Sequence, residues 1–190
     1  MPAPTTGADF LLGDRVIAGQ PATLAVWDLA GGAGRGEGAL GSQCCALAQA
    51  AVLVYDPARP GAAASLARWA ARLPDGLPRV VLASCRPDAG GGAEGEEHDA
   101  RRSAVLSAVQ EGCRASQTPH FVARSLADEA PIQAAFGEAA RLGLRRCVGS
   151  REQQQGQQAR ALPAAPHLPS LERELPGAML ALLAQRCAAC

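Results

Sequence analysis

Two uninterrupted apolar runs constrain the fold more than any other part of the chain. Residues 51–56 (AVLVYD) and 80–84 (VVLAS) show no polar alternation, so strands built from them have both faces covered. Between them, residues 62–73 place Leu66, Trp69, Ala70 and Leu73 at helical spacing. A buried strand, a helix and a second buried strand are the parts of an α/β fold, with a mainly parallel sheet and helices on both faces.

The remaining segments fit around that unit. Residues 9–16 and 22–27 are β-rich runs flanking Ala18-Gly19-Gln20, which predicts a hairpin. Residues 29–43 are too glycine-rich for regular structure, and 44–50 predict a short helix. An acidic, glycine-rich loop is expected over 89–99, a helix over 101–112, a short strand over 120–123 and a helix over 131–142 with proline in its first turn. Residues 149–169 are rich in Gln, Pro and Ala and read as a linker, followed by a weak helix over 171–185 broken at Pro176-Gly177. The expected organisation is one domain over 1–148 and a flexible tail over 149–190.

Composition narrows the chemistry. The chain of 190 residues is 48% hydrophobic, enough for one cored domain, but aromatics supply only 3% and alanine much of the rest. Such a core buries little area per residue, and marginal stability is expected. The formal net charge is zero, which argues against a general nucleic-acid binder. Arg141, Arg145, Arg146 and Arg151 form the nearest approach to a basic patch, without interleaved aromatics, and read as a solvated helix end. All 18 basic residues are arginine; lysine and asparagine are absent, so chemistry that needs either is excluded. The seven cysteines show no disulfide-like spacing and no signal peptide precedes them, which fits a reduced, cytosolic setting. No apolar run approaches the ~20 residues of a membrane span.

Several short motifs occur in an order that has a precedent. Pro4-Thr5-Thr6-Gly7-Ala8-Asp9-Phe10 precedes the first predicted strand, and Trp27-Asp28-Leu29-Ala30-Gly31 closes the hairpin. The run Ala51-Val52-Leu53-Val54-Tyr55-Asp56 follows, then Val80 to Asp88 (VVLASCRPD), then Ser125-Leu126-Ala127. Over roughly residues 4–142 this series resembles the Rab branch of the Ras-like small GTPases. TTGADF is similar to switch I (T-I-G-x-D-F), WDLAG to switch II (W-D-x-A-G), AVLVYD to the central strand, CRPD to the guanine loop N-K-x-D, and SLA to S-A-K.

The resemblance implies roles residue by residue. Thr5 and Asp28 would hold magnesium, directly and through water, and the Gly31 amide would contact the γ-phosphate. Cys85, Arg86 and Asp88 would face guanine together with Ser125, Leu126 and Ala127. Phe10 and Trp27 would belong to an effector-docking surface. The departures are specific. Gly32 stands where the family has the glutamine that orients the attacking water, so hydrolysis is expected to be very slow and no catalytic residue is assigned. Cys85 replaces asparagine and Arg86 replaces lysine, and neither reproduces the lost geometry.

The largest departure concerns phosphate. The family's G-x-x-x-x-G-K-[ST] loop precedes switch I, whereas only three residues precede Pro4 here, and the chain has no lysine for such a loop. The implied fold is a Ras-like P-loop GTPase fold lacking its first strand and phosphate-binding loop. Loss of that central strand would leave two inner strands without partners, which is costly. Three outcomes stay open: a partial product, a sheet that closes over the gap, or another segment, such as 171–185, that fills it.

By resemblance, GTP or GDP with Mg2+ are the ligands if any binding survives. Rab effectors and membrane-traffic proteins are the expected partners, with no nucleic acid among them. The expected location is the cytoplasmic face of endosomal or vesicle membranes, or the cytosol, with a late-endosomal flavour from the GADF sequence. The Arg186-Cys187-Ala188-Ala189-Cys190 ending is similar to prenylated Rab tails, which makes Cys187 and Cys190 candidate lipidation sites and a lipid the membrane anchor.

Rival readings come from other classes. A non-catalytic interaction module would keep the effector face without nucleotide-driven switching. Gly36-Glu37-Gly38-Ala39-Leu40-Gly41 spells G-x-G-x-x-G, and with Asp56 after the next strand it outlines a dinucleotide-binding oxidoreductase. Its first glycine lies too far from the preceding strand for the usual tight turn. Cys44, Cys45 and Cys85 are thiols that could act as nucleophiles, but His98, His120 and His167 pair with none of them in any evident way.

Overall fold

The computed structural model describes residues 8–29, 39–85, 93–125, 127–161 and 179–186. The chain runs β1 (Ala8–Ile17), β2 (Gln20–Leu29), α1 (Ala39–Leu47), β3 (Ala50–Tyr55), α2 (Ala62–Ala70), β4 (Arg79–Ser84), α3 (Ala93–Ala115), β5 (His120–Ala123), α4 (Glu129–Ala161) and β6 (Met179–Arg186). Among the described residues six strands form one sheet, in the order β1-β2-β6-β3-β4-β5. Only β1 is antiparallel to its neighbour; β2, β6, β3, β4 and β5 run parallel. The architecture is mixed α/β.

The β1–β2 hairpin closes through Ala18 (φ 51°) and Gly19 (φ 80°). Two successive positive φ values define the tight two-residue turn whose twist matches the strands beside it. Glycine is at home there, and alanine is not.

Strands β3 and β4 are buried almost throughout, as their unbroken apolar sequences require. Their alternate residues feed two cores. On one face Ala51, Leu53, Tyr55, Val81 and Ala83 pack with Cys44 and Cys45 of α1, Leu66 and Trp69 of α2, and Val109 and Cys113 of α3. On the other, Val52, Val80, Leu82 and Ala123 pack against Ala135, Ala139 and Ala140 of α4, all three fully buried. Alanine on this stretch of α4 lets the helix lie close to the sheet.

This division follows from crossover handedness. From β2 through β3 and β4 to β5 the chain steps across the sheet in one direction, so right-handed connections put α1, α2 and α3 on one face. The return from β5 to β6 reverses direction, and the same handedness places α4 on the opposite face.

The segment expected as a weak tail helix is instead a strand over its second half. β6 lies between β2 and β3, with Leu182 opposite both Val26 and Ala50. Met179-Leu180-Ala181-Leu182-Leu183-Ala184 is an apolar run whose periodicity cannot separate a buried strand from a buried helix. Two inner strand edges decide it, because only a strand satisfies both rows of backbone groups. Residues 179–186 thus pair between β2 and β3, as one of the open outcomes had the segment 171–185 do.

Two other expectations change. Residues 93–99, read as loop, form the first turns of α3. α4 runs on to Ala161 rather than stopping near 142, so residues 149–161 are helical where a linker was expected. Glutamine and arginine are good helix formers, and low hydrophobicity alone does not make a linker. The expected boundary after residue 148 thus falls inside α4.

Candidate functional site

In open parallel sheets, ligands sit beyond the carboxyl ends of the strands. Here that edge brings together the ends of β2, β6, β3 and β4, and it gathers several of the residues singled out from sequence. Thr5, Gly31, Gly32, Arg86, Asp88, Leu126, Cys187 and Cys190 lie outside the described residues, as do Gly36 and Gly38 of the glycine motif.

Asp28 stands near the end of β2, half-buried, opposite Asp9 of β1 and Ala184 of β6. Asp56 follows β3 and is engaged locally. One carboxylate oxygen accepts the Ala58 N–H at 3.1 Å, and the other lies 3.8 Å from Arg59 Nε. Cys85 follows β4, buried, and its N–H donates to the Ala123 carbonyl at 2.8 Å, which extends the ladder to β5. Ser125 comes two residues after that carbonyl. Cys85 and Ser125 are therefore brought to neighbouring strand ends. Through the register Asp28–Ala184–Val52–Val80, Asp28 stands level with Val80, three strands across and five residues short of Cys85, on the order of 20 Å from it.

The Ser125 hydroxyl has local work. Its Oγ accepts the Ala127 N–H at 3.2 Å, while the Ser125 carbonyl accepts the Asp128 N–H at 3.1 Å. Asp128 in turn accepts the Arg124 N–H at 3.2 Å. These bonds shape the turn from β5 into α4. Ala127 is exposed and offers no side-chain hydrogen bond.

On the hairpin, Phe10 and Trp27 are cross-strand partners with ring centroids 4.6 Å apart and planes tilted by 46°. Trp27 leans on the core, whereas Phe10 is 43% exposed. Leu12 and Val16, 62% and 75% exposed, continue the apolar positions on the same face of β1, while Leu11, 62% exposed, stands on the opposite face. Grouped exposed apolar side chains of this kind are candidates for an interaction surface.

No protein-family model matches the chain, and no curated protein matches it. The site must therefore be judged on its own donors.

Those donors do not suit a guanine nucleotide with magnesium. Cys85 offers a buried thiol where the resemblance would want a carboxamide, and the Ser125 hydroxyl already accepts the Ala127 N–H. Lysine is absent from the whole chain. No step through a nucleotide follows from this set. Among the described residues, no three His, Cys, Asp or Glu side chains gather to hold a metal ion.

The dinucleotide geometry fares no better. That fold needs its first two strands side by side, but β6 separates β2 from β3, and Asp56 is engaged by its own loop. Gly41, the last glycine of the motif, is buried within α1. A thiol nucleophile at Cys44 or Cys45 is disfavoured too, because burial pushes both thiols up and away from the reactive thiolate. Among the described residues, no helix is long and apolar enough to cross a membrane.

One polar contact was not visible in the sequence. Tyr55 reaches across β4 to His120, with the hydroxyl 3.1 Å from Nε2 and the rings stacked at 6.0 Å. Burial raises the Tyr55 hydroxyl well above the usual tyrosine range and lowers the His120 imidazole. Both groups are held neutral, so the pair acts as a polar clasp inside the sheet's face. The only sequence signal was a lone tyrosine in an aliphatic strand and a histidine at the start of another.

Proposed function

We propose that the chain is a Rab-like protein of intracellular membrane traffic that works as a non-catalytic interaction module, with GTP binding and hydrolysis weak or lost. The observation that carries this reading is the hairpin. Phe10 packs against Trp27, the two positions the resemblance gives to effector docking, and the exposed Leu12 and Val16 extend the apolar surface along the same face. The partners are Rab effectors and other membrane-traffic proteins, on the cytoplasmic face of endosomal or vesicle membranes.

The donor set supports the loss of nucleotide function. The central strand β6 leads into Cys187-Ala188-Ala189-Cys190, which holds neither the glycines nor the lysine of a phosphate cradle. Residual affinity, if present, would use Thr5 and Asp28 for magnesium and Asp88 and Ser125 for the base, and Gly32 would leave hydrolysis very slow. Lipids on both Cys187 and Cys190 would anchor the protein stably, and one lipid only reversibly.

The test is a titration of the folded, full-length protein with a fluorescent guanine nucleotide, with and without magnesium. No saturation up to high micromolar concentration is expected. Nanomolar affinity would overturn the reading and require a phosphate cradle of another kind.

A further inference from the structure

We propose that β1 is the contact strand of a symmetric homodimer, in which two copies join their sheets edge to edge through antiparallel β1–β1 pairing about Leu12. Among the described residues, β1 has a strand neighbour on one side only. Two hydrogen bonds show which backbone groups its open side presents. The Phe10 N–H donates to the Asp9 carboxylate at 2.8 Å, and the Asp14 carbonyl accepts Arg15 Nη1 at 2.8 Å. In an antiparallel strand a residue's N–H and C=O point to the same side, and alternate residues point to opposite sides. Phe10 and Asp14 are in phase, and Leu12 between them shares that phase. All three face the open edge, while the strand's own neighbours cap two of their groups.

A twofold axis through Leu12, perpendicular to the sheet, sets Leu12 opposite its own copy. Phe10 then lies opposite Asp14 of the second copy, and Asp9 opposite Arg15. The Phe10 N–H meets the Asp14 carbonyl, and these are the two groups now covered by Asp9 and Arg15. Release of those side chains leaves each copy's Asp9 facing the other's Arg15, giving two ion pairs per dimer.

No neighbouring register does this. Shifting the pairing by two residues places Asp9 opposite Gly13 or Ile17 and loses both ion pairs. Within its own sheet Asp9 is directly opposite Asp28, an unfavourable like-charge pair, so its carboxylate gains by turning toward the open edge. The Asp14 carboxylate is occupied elsewhere, accepting the Thr23 hydroxyl at 2.7 Å, and does not oppose the pairing.

Side chains on both faces agree with the same axis. Leu12, 62% exposed, meets its copy directly. Leu11 lies opposite Gly13, whose missing side chain leaves room for the two Leu11 side chains to meet diagonally. The proposal does not depend on the effector reading, although both involve Leu12: the dimer is held by the backbone edge of β1, and that reading rests on the Phe10–Trp27 pair.

The test is sedimentation velocity of the full-length chain across a concentration series, with circular dichroism as the check on folding. The wild type is expected to dimerise reversibly. Asp9→Arg should weaken the dimer about tenfold or more, since each substitution counts twice across the axis. Combining it with Arg15→Asp should restore the dimer. Leu12→Pro removes an N–H on the open side only, which an edge strand tolerates, and should give a folded monomer. A wild type that stays monomeric at high micromolar concentration would overturn the proposal, and would leave the edge to a strand from another protein. So would a dimer unaffected by Asp9→Arg, or a double variant that fails to regain it. These charge variants decide the matter even if Leu12→Pro does not fold.

Discussion

His120 carries the most specific consequence of any single side chain. Burial holds its imidazole below the ordinary histidine value of 6.5. Between that folded value and 6.5 the unfolded chain binds the extra proton and the folded chain does not. The stability contributed by the neutral imidazole is therefore fully present above this window and falls as pH drops through it. In urea unfolding at pH 8 and pH 5, the wild type should lose more stability on acidification than His120→Gln. Equal losses in the two proteins would show that His120 does not titrate differently on folding. At the same scale the candidate site was only partly legible. Cys85 and Ser125 could be placed at strand ends from sequence. That the Ser125 hydroxyl is spent on the Ala127 N–H could not, because such bonds depend on turn geometry and not on residue order.

The elements show where pattern reading works and where it fails. Strands β3 and β4 were legible because unbroken apolar runs of six residues (50–55) and four (80–83), followed by turn signals, admit few alternatives. The hairpin was legible from its two β-rich runs and the glycine between them, although alanine is a poor occupant of the first turn position. Ala18→Asn should create the Asn-Gly pair that this turn favours and relieve the alanine's positive φ of 51°. A gain of about 0.5–1 kcal/mol is expected, read as a higher urea midpoint. A lower midpoint would mean that the turn is of another kind. The extensions of α3 and α4 were missed because polar helices give no amphipathic signal. β6 was missed for a different reason: its local sequence permits two structures, and the choice lies with β2 and β3 at the other end of the chain.

Across the whole molecule, β6 joins two parts that would otherwise be separate. The β1–β2 hairpin lies on one side of it and β3, β4 and β5 on the other. A proline at Leu182 removes a ladder donor in the middle of a central strand, at a cost of about 3 kcal/mol or more. In a domain whose core leans so heavily on alanine, that should abolish the cooperative thermal transition seen by circular dichroism. An unchanged midpoint would show that β6 contributes nothing to the sheet.

The same strand gives the protein an awkward birth. β6 is the last of the six strands to be synthesised, yet it belongs between two made long before it. At ~5–20 residues per second, the ribosome leaves the facing edges of β2 and β3 unmatched for on the order of ten to thirty seconds. Throughout that interval the nascent chain carries two sticky apolar borders and no means of sealing them. Its yield in a cell should therefore depend on chaperones that shield those borders until the final strand emerges.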